Sequence, residues 1–141
     1  MKPTLKLIGF WSGDRESHES WIDPSKLVAP GCYGDEKSRV VAYLRAGTRI
    51  NFELGYSFCR IEGGPPDSEM GTCDMTDGTW VWPEGLWVYV DLYDVKLPDE
   101  FLIHARNLDY QIPESATKLT LNSVQYDSTF WNRWCSDQKA F

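Results

Sequence analysis

The run DMTDGTWVWPEG, Asp74 to Gly85, constrains the fold more than any other stretch of this 141-residue chain. Asp-Gly between two alternating segments is a strong hairpin signal, because a two-residue type I′ turn needs positive φ at both central positions. Taking Asp77-Gly78 as that turn pairs Thr76 with Thr79, Met75 with Trp80, Asp74 with Val81 and Cys73 with Trp82. Cross-strand partners share a face. One face is then Cys73, Met75, Trp80 and Trp82, all apolar; the other is Asp74, Thr76, Thr79 and Val81, mostly polar. Turn chemistry and polarity select the same register, so a hairpin over about 72–82 anchors the fold.

Helical patterns surround it. GDEKSRVVAYLRAG predicts a helix over about 36–46, with Asp35 as cap, Arg45 in the last turn and Gly47 as a left-handed stop. Val40, Tyr43 and Leu44 form its buried stripe. Pro83 suits the first position of a second helix, about 83–93, and Glu84 follows where the helix dipole favours an anion. Leu86, Tyr89, Val90 and Tyr93 recur on one face of it. Leu97-Pro98 repeats the device for a helix over about 98–106, with Phe101, Leu102 and Ala105 inward and Asn107 as its stop. A closing helix over about 128–138, capped by Asp127 or Ser128, turns Phe130, Trp131, Trp134 and Cys135 to its apolar side.

Strand patterns are shorter. TLKLIGFW, Thr4 to Trp11, reads as an opening strand. TRINFELGYSFC places Ile50, Phe52 and Leu54 opposite Asn51 and Glu53, a half-buried strand, with Gly55 marking a turn before a second strand, Tyr56–Ile61. KLTLNSV reads as another short strand. Ser12 to Pro30 is expected to be a long surface loop pinned by Trp21 and Leu27, and EGGPPDSEMG an exposed one. The class is α+β: one domain, 1–141, with a small antiparallel sheet covered by three or four helices.

Seven tryptophans make the chain rich in aromatics, and no apolar run is long enough to span a bilayer. Lys6 interrupts the opening segment before a secretory core can form, so the expected compartment is the cytoplasm. There, four reduced thiols (Cys32, Cys59, Cys73, Cys135) are the expectation, with a Cys59–Cys73 bridge as the alternative. Net charge is −7 and unevenly spread: residues 61–114 carry twelve acidic side chains against two basic ones. Such a segment repels phosphate backbones, which argues against nucleic acid, and favours a basic partner or a cation.

With those residues identified, the chain resembles a widespread bacterial family of uncharacterised proteins with the pattern TDGxxxWPEGLxHYV followed by HxVxLPxEF. The matching residues are Tyr43-Leu44-Arg45 with Gly47, Gly55-Tyr56-Ser57 with Cys59-Arg60, Thr76-Asp77-Gly78, Trp82 to Leu86, Tyr89-Val90, and Leu97-Pro98 with Glu100-Phe101. The resemblance implies a shared architecture and no defined activity. Where the family tends to have a second cysteine and two histidines, this chain has Glu62, Val88 and Tyr93. A zinc site that such ligands would make keeps only Cys59 here.

No catalytic residue, metal site or cofactor is assigned. A cysteine nucleophile (Cys59, Cys73 or Cys135) would need His18 or His104 as base. Asp77 and Glu84 are an acid–base pair on paper, but the turn and the helix start account for both. Asp74 and Asp77 lack the ligand spacing of an EF-hand calcium loop. Trp80, Trp82 and Trp87 suggest a stacking platform, although the first two lie on the face a core would claim. Trp87 falls off its helix stripe, either packed on another helix or serving as an anchor with an acidic rim. The favoured expectation is a non-enzymatic, acidic protein-binding module, most concretely an immunity-type inhibitor of a basic toxin. Its contact residues would be Glu84, Trp87, Asp91, Asp94 and Asp99. An enzyme of unrecognised type, which a deep carboxylate-lined cleft would favour, and an aromatic-lined carbohydrate-binding module are the alternatives.

Overall fold

A computed structural model describes residues 2–12 and 21–139. Residues 13–20 of the expected Ser12–Pro30 loop, His18 among them, lie outside the described residues. The chain forms β1 (Thr4–Leu7), α1 (Lys37–Ala46), β2 (Thr48–Ile50), β3 (Asp74–Thr76), β4 (Trp80–Pro83), α2 (Leu86–Tyr93), α3 (Asp99–Asn107), β5 (Gln125–Asp127) and α4 (Thr129–Lys139), joined by loops and short 3-10 turns. The fold is α+β. Its five-stranded sheet runs β2-β3-β4-β1-β5. The half containing the hairpin is antiparallel, as expected, but β1 lies parallel to both β4 and β5, so the sheet is mixed.

The hairpin forms with a shifted register. Thr76 faces Val81, Met75 faces Trp82 and Asp74 faces Pro83, two residues further along β4 than a two-residue Asp-Gly turn would place them. Gly78 alone takes positive φ, +93°, with Thr79 beside it, so the turn centres on Gly78-Thr79. A glycine at the first central position is the type II′ arrangement. Asp77 moves from turn centre to turn clamp: its Oδ1 accepts from the backbone N–H groups of Thr79 (2.9 Å) and Trp80 (2.7 Å). A shift of two preserves the faces, because side chains alternate with period two. Trp80 and Trp82 therefore still share a side, both meeting Phe101 of α3 edge-on at 5.8 and 5.5 Å. The opposite side is buried as well, since Asp74, Thr76 and Val81 are all inside.

Several helix ends differ from expectation. Asp35 lies in a 3-10 turn, Gly34–Glu36, and α1 starts without a side-chain cap; the Glu36 carboxylate instead accepts from Arg106 and Tyr110. Gly47 is not left-handed (φ −57°); it is small because a Cβ there would sit 2.9 Å from the Trp82 ring and 3.1 Å from Met75. Pro83 ends β4 rather than starting α2, whose N-cap is Gly85. Asp127 does cap α4, accepting from the Thr129 N–H at 3.0 Å. The KLTLNSV segment is mainly two 3-10 turns, with the strand following at Gln125–Asp127. All four cysteines carry free thiols.

Candidate functional site

The largest departure from the alternating pattern lies after Ile50. β2 pairs with β3 for three residues and stops at Asn51, whose φ of +51° turns the chain out of the sheet. Asparagine tolerates that conformation better than most side chains, and its Nδ2 donates to Asp74 Oδ2 at 2.8 Å. Two backbone bonds then tie the segment to the chain preceding β3: Glu53 N–H to Thr72 carbonyl (2.7 Å) and Ser57 N–H to Gly71 carbonyl (3.0 Å). Four residues on one side span a single step on the other, so Leu54-Gly55-Tyr56 bows outward. The side chains expected to line a strand face are outside: Leu54 is 108 % exposed, Phe52 68 %, Tyr56 61 % and Phe58 49 %. The strands expected at 50–54 and 56–61 do not form beyond Ile50.

Behind this loop lies a cleft of about 420 Å³. Its apolar lining comes from Leu54, Tyr56 and Phe58 on the loop and from Phe10, Met70 and Pro83 on the body. Glu84, at the body wall, is a strap rather than a helix-dipole residue. Its Oε1 accepts from the Thr72 N–H (2.9 Å) and the Cys73 thiol (3.3 Å), and Oε2 lies 3.5 Å from Arg49 Nη2. Gly71 is left-handed (φ +81°), and a Cβ there would strike this carboxylate. Asp74, 2 % exposed, accepts at one oxygen from Asn51 and from the Tyr126 hydroxyl at 2.9 Å. Burial, then the neighbouring Glu84 carboxylate, push the Cys73 thiol up to about 12. A thiol so protonated is no nucleophile. Arg60 folds over the Phe58 ring at 4.1 Å and donates to the Ser57 hydroxyl and the Phe58 carbonyl, while its backbone N–H donates to the Tyr89 hydroxyl at 2.9 Å.

The five expected contact residues divide. Glu84 and Trp87 share a second hollow, about 300 Å³, with Arg45, Arg49, Glu69 and Met75. There the Arg45 guanidinium lies 4.3 Å over the Trp87 ring, so Trp87 is half-buried between the core and a cation instead of standing clear in an acidic rim. Asp91 is exposed on α2, and Asp99 is exposed in the first turn of α3. Asp94 is not simply solvated: it ends α2 in the left-handed region (φ +50°), accepts from the Gly31 N–H at 3.1 Å and pairs with Lys37 at 3.0 Å. Those partners hold its carboxyl below the usual range. Asp91, Asp94 and Asp99 line neither hollow.

The remaining candidates are structural. Asp77, 1 % exposed, accepts from the Tyr43 hydroxyl at 2.6 Å and from its own turn, with His104 Nε2 3.5 Å away. No substrate reaches a carboxylate so enclosed. Asp74, in β3, and Asp77, just past its end, bond to separate sets of partners, Asn51 and Tyr126 for the first and Tyr43, Thr79 and Trp80 for the second. Among the described residues no three His, Cys, Asp or Glu side chains come together as a metal ion requires. Trp80 and Trp82 are buried and offer no ring face for stacking a sugar. The loop residues Phe52, Leu54, Tyr56 and Phe58 were the ones sequence reasoning missed; Asn51 and Gly55, both able to leave an extended path, were the available signal.

No known protein family, curated protein or solved structure matches the chain.

Proposed function

We propose that the protein is a non-enzymatic binding module that holds a partner protein through the loop Phe52–Phe58 and the cleft behind it. The observation that carries this reading is the full exposure of Leu54 at the tip of a loop flanked by exposed Phe52 and Tyr56. Contiguous apolar surface of this kind, rimmed by polar residues, marks interaction sites, and aromatic side chains are favoured anchors in them. Net charge of −7 adds long-range attraction for a basic partner and would speed capture. In its most concrete form the protein is a cytoplasmic immunity-type inhibitor that covers a basic toxin. No described helix is long and apolar enough to cross a membrane.

One observation favours an enzyme instead: the cleft is lined by the carboxylates of Glu53, Asp74 and Glu84. Against it, Asp74 and Glu84 already accept hydrogen bonds that hold the loop and the strand in place. A carboxylate engaged in that way is a poor general base until those bonds are broken.

The test is capture from the native host with the full chain and with Leu54→Ser and Tyr56→Ser. The expected result is a partner retained by the parent protein and lost by both variants, whose circular dichroism and unfolding midpoint stay unchanged. Retention of the same partner by both variants would overturn the assignment of the loop.

A further inference from the structure

We infer that the floor of the cleft is a subsite for one acceptor oxygen, so that the partner segment held by the loop brings a carbonyl or carboxylate oxygen on an apolar stem. This rests on the binding reading above and adds the chemistry of what is bound. Behind the cleft lies a void of about 10 Å³, and Ser57, Arg60, Met70 and Pro83 line both spaces. The wall of the void also includes Trp11 and Tyr89, whose rings meet edge-on at 5.5 Å. Such a space admits about one oxygen-sized atom.

Both rings carry a donor with nothing to donate to. Trp11 is 1 % exposed, and its Nε1–H meets no acceptor among the described residues. Trp82 and Trp131, equally enclosed, show how the fold otherwise deals with an indole: Trp82 Nε1 donates to the Leu44 carbonyl at 3.1 Å and Trp131 Nε1 to the Phe10 carbonyl at 2.7 Å. Trp80 also lacks an acceptor, but it borders none of the three hollows. Tyr89, 2 % exposed, accepts from the Arg60 N–H at 2.9 Å, and its own hydroxyl proton has no acceptor among the described residues. That bond holds the hydroxyl beside Arg60, on the side of the void. Burial pushes the phenol up to about 12, so its proton stays on.

A buried donor without a partner is costly and rare. Two beside one void call for an acceptor from outside the chain. An indole N–H can only donate. An incoming amine or hydroxyl would add protons that need acceptors of their own, whereas a carbonyl or carboxylate oxygen receives both donors and adds none. Neither donor is charged, so a neutral and an anionic oxygen both fit. The apolar stem would lie in the cleft between Leu54, Tyr56 and Phe58 of the loop and Phe10, Met70 and Pro83 of the body.

The experiment follows the assigned Trp11 indole signal in proton–nitrogen correlation spectra of the full chain during titration with three probes of similar shape. Phenylpropionamide and phenylpropionate carry the acceptor; phenylpropylammonium does not. The indole proton should move downfield and saturate with the amide, the carboxylate or both, and the tighter of the two tells a neutral source from an anionic one. It should not respond to the ammonium. Tyr89→Phe, which keeps the ring, should weaken the acceptor probes several-fold, the share of one hydrogen bond. The same variant should retain less of the host partner. An equal response to all three probes overturns the inference, as does a Trp11 signal that stays still while a probe saturates. So does a failure of both acceptor probes to bind, or water-to-indole cross-relaxation at Trp11 that persists at saturation, which would mean a held water only. Host partner retained in full by Tyr89→Phe and lost by Leu54→Ser overturns it and leaves the binding reading standing. Failure of the loop variants to lose the host partner removes the binding reading itself.

Discussion

The turn of the β3–β4 hairpin and the loop after β2 are built from similar material and end in opposite environments. Each follows a strand of alternating residues, each contains a glycine, and each carries large apolar side chains, aromatic ones among them, at alternate positions. Around Gly78 those aromatics are buried, Trp80 and Trp82 against Phe101. Around Gly55 they point outward. The difference is what lies beside the backbone. β3 and β4 are flanked by β2 and β1, so both strands of the hairpin lie inside the sheet, and both of its faces are covered. The segment after Ile50 lies beyond the edge strand and has two backbone bonds to the body between Phe52 and Phe58. Alternation specifies a strand where neighbours exist on both sides, and an apolar surface where they do not.

The comparison breaks most sharply at Asp77. Asp77→Ala removes the acceptor of two backbone N–H groups and of the Tyr43 hydroxyl; the Tyr43 and Trp80 bonds are buried and the Thr79 bond is part-buried. Each buried donor left unpaired costs about 1–3 kcal/mol, so a loss of roughly 3 kcal/mol or more in urea unfolding is expected. A change under about 1 kcal/mol would mean that the turn does not depend on its side-chain clamp.

Gly78→Ala is the next step down. The residue holds φ at +93°, and the added Cβ would sit 3.4 Å from the Cβ of Ala116, which is ordinary contact. The cost is therefore mainly backbone strain, about 1 kcal/mol, or roughly 2–4 °C in Tm for a domain of this size. An unchanged Tm would remove the left-handed turn.

The smallest effect on stability belongs to the exposed loop. The double change Phe52→Ser and Leu54→Ser should leave the free energy of unfolding within about 0.5 kcal/mol, because these side chains are mostly in water already. A loss of about 2 kcal/mol in thermal or urea unfolding would show that the loop packs in solution and is not a free contact surface.

Local chemistry made a good part of this legible from the sequence. The four helices lie close to where their apolar stripes place them, because i, i+4 packing is decided within one or two turns, while the signals expected at their ends, Asp35, Gly47 and Pro83, serve other purposes. The hairpin and its faces follow from a glycine and from period two. Tertiary structure decided the rest, for a shared reason: each feature depends on a neighbour distant in the chain. β1 lies parallel to β4 because β2 and β3 occupy the other side of the hairpin, which nothing in TLKL announces. Pro83 extends a strand because Asp74 stands opposite it, Gly47 is small because Trp82 crosses it, and Asp94 is a clamp because Gly31 and Lys37 arrive beside it. The candidate site is the extreme case. Phe52, Leu54, Tyr56 and Phe58 have the composition of a core face, and they became a surface because the chain preceding β3 meets this segment through the backbone bonds at Gly71 and Thr72 instead of a ladder. An alternating sequence states which residues share a side; only the packed sheet settles whether that side meets protein or water.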